Sequence, residues 1–84
     1  MTSKVKYLGE LRTQSIHIAS NNSIITDAPI DNHGKGEAFS PTDTVATALA
    51  SCLLTVMGIR AKQFKIDIKN TTAEVKKIMG ENPR

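Results

Sequence analysis

A single thiol, Cys52, sits within "SPTDTVATALASCLLTVMGIRAK", residues 40 to 62. Cysteine offers nucleophilic and redox chemistry when a nearby cation or a helix N-terminus favours the thiolate and the sulfur is accessible. Otherwise a lone cysteine on an apolar helix is a small hydrophobe. Both readings stand on the residues alone. Cys52 lies about three turns into its helix, beyond the reach of the helix dipole. A cation would come from elsewhere in the fold, with Arg12 or a second copy of the chain as the routes. His17 and His33 are distant in sequence from the thiol and from each other. A Cys/His nucleophile pair would need them to converge, and the simpler reading puts His17 on a strand surface and His33 in a loop. No metal-ligand spacing connects these residues. "HGKGEAF" holds two glycines and a lysine but lacks the phosphate-loop pattern. No cofactor is called for.

The elements that position these residues read as β, then α, then β. "KVKYLGELRTQSIHIASNNSIITDAP" alternates apolar and polar residues, with Val5 and Tyr7 against lysines and Ile16 and Ile18 against Ser15, His17 and Ala19. Asn21-Asn22 marks a turn, and Pro29 closes a third strand. "IDNHGKGEAF" is a loop, where Gly34 and Gly36 permit unusual backbone angles. Ser40 suits an N-cap and Pro41 the first helical position. Asp43 stands three residues past the cap, as a short form of the capping box, and Glu37 reads as a solvated loop residue. The helix is expected to run to about Gln63. "FKIDIK" alternates again and predicts a further strand, continued or followed by "TAEVKKIM".

The helix is apolar nearly all round. Val45, Ala48, Leu49, Cys52, Val56 and Ile59 cover one face, and Ala46, Ala50, Leu53, Leu54 and Met57 much of the remainder. Such a helix must be covered on every side. One small sheet covers one side, so a homodimer is expected, with the helix near its centre. An unpaired sheet edge also invites larger homo-oligomers.

Length and composition exclude several classes. Eighty-four residues allow one domain, 1–84. One cysteine makes no internal disulfide and fits a reducing compartment. "MTSKVKYLGE" has no apolar core of a secretory signal. The uncharged run from Thr44 to Ile59 falls short of the ~20 residues of a membrane span. A soluble, cytoplasmic protein is therefore expected. Net charge is only +3, the lysines are dispersed, and three aromatics are too few for base stacking, so nucleic acid is not an expected partner.

"DNHGKGEAFSPTDTVATALASCLLTVMGIRAK", preceded by three strands ending in "IITDAP" and followed by "IDIKNTTAEVKKIM", resembles the family of osmotically inducible protein C and the organic hydroperoxide resistance proteins (OsmC/Ohr). The carrying features are the glycine-containing loop, the Ser-Pro helix start, and Ala-Ser-Cys a little over two turns later. The resemblance covers essentially the whole chain. It implies an α+β fold, an antiparallel sheet around a central helix, with two subunits intertwined. It implies a thiol peroxidase acting on organic hydroperoxides in oxidative stress defence. Cys52 would be the nucleophile that becomes a sulfenic acid, Arg12 the activating cation, and Asp43 the nearest match to the carboxylate that holds the arginine. In the family that carboxylate directly follows the helix proline, where this chain has Thr42. The family's second, resolving cysteine has no counterpart here, so an external thiol reductant is implied. The chain matches the N-terminal portion of such a protein. The alternative is a truncated, non-catalytic chain in which Cys52 is structural and the role is assembly.

Overall fold

The computed structural model describes residues 1–80. They form two compact units, one running from Met1 to Thr42 and one beginning at Asp43. The expected α+β class is what the chain adopts: an antiparallel three-stranded sheet, then a single long helix.

The first unit is a meander of β1 (Ser3–Gly9), β2 (Arg12–His17) and β3 (Ser23–Asp27). Tyr7 pairs with Thr13, and a register shift follows between Tyr7 and Gly9. Gly9, Glu10 and Leu11 all take positive φ there, and the Tyr7 hydroxyl accepts the Leu11 N–H at 3.1 Å. The second turn is closed by His17 and Asn22, with Asn21 left-handed, as Asn tolerates. Between β2 and β3, Arg12 faces Asp27 and Thr13 faces Thr26, whose hydroxyls hydrogen-bond to each other.

After β3 the chain makes one 3₁₀ turn, Ile30–Asn32, and folds back on the strand end. Asp27 N–H donates to Phe39 O, Ala28 N–H to Leu11 O, and Gly36 N–H to Ala28 O. Gly34 is required by proximity: a Cβ there would lie 1.7 Å from the Ala28 carbonyl oxygen. The buried side chains of the described residues are polar: Thr26, Asp27 and Ser40. Val5 and Tyr7 of β1 remain exposed.

The helix α1 spans Pro41–Gln63, with the expected start and end. Ser40 immediately precedes it, almost fully buried, its Oγ 3.2 Å from the Thr42 hydroxyl. Its end is a Schellman motif: Ile66 N–H reaches Ala61 O and Lys65 N–H reaches Lys62 O, with Lys65 left-handed. Arg60 also lies over the Phe64 ring, 5.5 Å from its centroid. None of the helix's 23 residues is buried. By length and composition α1 is apolar enough to cross a membrane, a property it shares with core helices of soluble proteins.

The further strand expected over "FKIDIK" and "TAEVKKIM" does not form among the described residues. Lys65 is diverted into the helix cap, and Asn70 turns the chain with positive φ while Thr71 bonds back to Ile68 O. Alternation supplies a strand's faces but not its hydrogen bonds, and among the described residues this segment pairs with no strand. Instead Lys77 Nζ reaches Asp43 Oδ1 at 2.9 Å, tying the segment to the helix start.

Candidate active site

The second unit carries the thiol. Cys52 is exposed on α1 and helps to line a groove of about 630 Å³. Helix residues Ala46, Leu49, Ala50, Leu53 and Val56 form one wall, and Glu74, Val75 and Lys76 border it from the returning segment. The apolar residues sit at three- and four-residue steps, which place them on one helix face. The groove is therefore an apolar, solvent-exposed wall with one polarizable nucleophile in it and two charges at its border.

Asp43 lies nine residues before Cys52 on the same helix. At 100° per residue the two side chains leave opposite faces, about 13–14 Å apart along the axis. The helix thus keeps this carboxylate away from the thiol. Asp43 instead occupies the first turn, where a negative charge suits the helix dipole, and holds Lys77.

The first unit carries the cation. Arg12, opening β2, donates from Nε to Asp27 Oδ1 at 2.7 Å and from Nη2 to Asp27 Oδ2 at 2.8 Å. Nη2 also reaches Glu37 Oε1 at 3.1 Å. The cross-strand register sets the first pair side by side, and the fork geometry of guanidinium and carboxylate completes it. Asp27 is 1% exposed and accepts a third bond, from the Glu37 backbone N–H at 3.2 Å. Its carboxyl is held below the ordinary carboxylate value, chiefly by the Arg12 hydrogen bond, with burial opposing. The guanidinium is raised above its ordinary value by the same hydrogen bond and charge. Beside this pair, Lys35 and Glu10 bond at 2.6 Å, which lowers Glu10 and raises Lys35.

Asp27 was not singled out from the sequence, although an aspartate ending a strand whose register partner is an arginine is a readable signal once strands are paired. Glu37, read as a solvated loop residue, is exposed but engaged by Arg12. His17 ends β2 with Nδ1 2.6 Å from Ser20 Oγ, and His33 follows the 3₁₀ turn with positive φ. No group of His, Cys, Asp and Glu side chains suited to a metal ion occurs among the described residues.

Comparison with known proteins agrees with this architecture. The family model of OsmC-like proteins matches residues 34–84, more than half of the chain. A crystal structure from Psychrobacter arcticus 273-4, of a protein described as an osmotic stress induced and detoxification response protein, is 65% identical. It superposes with a TM-score of 0.97 over 100% of this chain and 61% of its own. This chain therefore spans less than two thirds of that neighbour's length. No curated protein matches it. With helix, loop and sheet following one pattern in sequence and in space, the chain belongs to the OsmC-like family.

Proposed function

We propose that the chain is a protomer of a thiol peroxidase that reduces organic hydroperoxides in a stress response. The observation that carries this reading is the exposed Cys52 in an apolar groove. In the proposed step the Cys52 thiolate attacks the terminal oxygen of the hydroperoxide. The O–O bond breaks as the S–O bond forms, and the alkoxide leaves with a proton as the alcohol. Sulfur is oxidised to sulfenic acid and the peroxide is reduced. The apolar wall favours an alkyl hydroperoxide over hydrogen peroxide because it removes hydrocarbon from water. A cation stabilises both the thiolate and the developing alkoxide, and the resemblance gives that role to Arg12. Asp43, which the resemblance matches to the arginine's carboxylate, acts in this reading at the helix start. The chain has one cysteine. In this reading an external thiol recycles the sulfenic acid in two equivalents: the first forms a mixed disulfide and releases water, the second displaces that disulfide and restores Cys52. A reducing compartment such as the cytoplasm supplies such thiols. The neighbouring protein's description as a stress and detoxification response protein supports the same setting.

The proposed working form is a homodimer. The helix α1 is apolar nearly all round, yet none of its residues is buried, and a second copy is the cover this reading assigns to it. The test of the peroxidase reading is a rate comparison. Cumene hydroperoxide should be consumed at least tenfold faster than hydrogen peroxide, and Cys52→Ser should consume neither. Equal rates, or turnover that survives Cys52→Ser, would refute it.

A further inference from the structure

Arg12 is held by two carboxylates that differ in kind. Asp27 is enclosed: it is 1% exposed, takes two hydrogen bonds from the guanidinium and one from the Glu37 backbone, and has its own N–H bound to Phe39 O. Both backbone and side chain of Asp27 are therefore committed, and its carboxylate has no freedom to swing away. Glu37 is open: 64% of its side chain is exposed, and it offers one oxygen to one nitrogen at 3.1 Å. An exposed single contact of that kind is screened by water and salt and is readily released. The third guanidinium nitrogen, Nη1, donates to no group among the described residues.

We propose that Asp27 is the positioning residue of Arg12, fixing the plane of its guanidinium, while Glu37 is a releasable second carboxylate that yields Nη2 to an incoming anion. Asp27 holds the fork by its Nε edge, so Nη1, together with an Nη2 released by Glu37, makes up the anion-binding edge. The assignment of a catalytic consequence rests on the reading in which Arg12 supplies the cation. The positioning itself lies wholly within the first unit and is testable apart from it.

The experiment follows the Arg12 Nε–H resonance of nitrogen-15-labelled protein alongside the pH–rate profile of cumene hydroperoxide consumption. Asp27→Asn should abolish the protected Nε–H signal, lower the rate at least tenfold and displace the profile. Glu37→Gln should keep the signal and lose less than threefold in rate. A signal and profile unchanged in Asp27→Asn, with backbone amides still dispersed, would overturn the assignment, as would a signal lost in Glu37→Gln. If Asp27→Asn fails to fold, the wild type carries the test. Its Arg12 Nε shift should follow a carboxyl titrating below the ordinary carboxylate range, and a shift that follows none overturns the proposal. A wild type inert to hydroperoxide would refute the peroxidase reading while the Nε–H signal still decided the position of Arg12.

Discussion

Ile59→Ala tests whether α1 is an interface. Ile59 lies outside the groove lining and is 58% exposed in the single chain. The substitution removes three carbons, each worth about 0.8 kcal/mol when fully buried. Taking the exposed share as what a partner would cover gives about 1.4 kcal/mol per protomer, hence about 2.8 kcal/mol for a symmetric pair. At ~1.4 kcal/mol per decade, the dimer Kd should rise about 100-fold. Alanine is the better helix former, so the helix itself loses nothing by the change. Sedimentation equilibrium across a concentration series reads the constant directly. A Kd within threefold of wild type would show that this part of the helix is not covered. A wild type that stays monomeric at tens of micromolar would refute the packing argument itself.

Other substitutions probe the rest of the molecule. Gly34→Ala would drive a methyl group into the Ala28 carbonyl. It should destabilise the first unit by about 2 kcal/mol or more, seen as a lower denaturant midpoint in the meander's signals. Asp43→Asn removes a half-buried ion pair with Lys77 and a charge at the helix start. The loss should be under ~1 kcal/mol in thermal melts and should fade at high salt. The folded Asp27 carboxyl lies below its ordinary value, so its contribution is fully present above the unfolded pKa of ~3.9. That contribution is lost as pH falls through the lower, folded value. Stability of the first unit should therefore hold from neutrality down to about pH 4 and fall below it, and Asp27→Asn should remove that fall.

What the sequence shows of this fold is what depends on local chemistry. The Ser40-Pro41 start, the alternation in β1 and β2 and the Asn21 turn are signals carried by neighbouring residues, and each element forms where they point. The α1 terminus falls at Gln63, where the sequence points, although Lys65 takes the left-handed position where glycine would advertise a stop. The segment after it misled because alternation there has no strand to pair with among the described residues. The candidate site divides in the same way. Cys52 is conspicuous as the only thiol, and Arg12 as a cation near the first turn. Asp27 and Glu37 are visible only after β2 and β3 are set in register and the loop is folded back. Asp43, plausible by proximity to the helix proline, stands on the helix face opposite the thiol.

The most direct test of the central claim is intact mass after brief exposure to an organic hydroperoxide with a sulfenic-acid trap present, on wild type and Cys52→Ser. The account predicts one trapped adduct on the wild type and none on the variant. Folded wild-type protein that yields no adduct would contradict it, leaving Cys52 a structural thiol and the chain's role one of assembly.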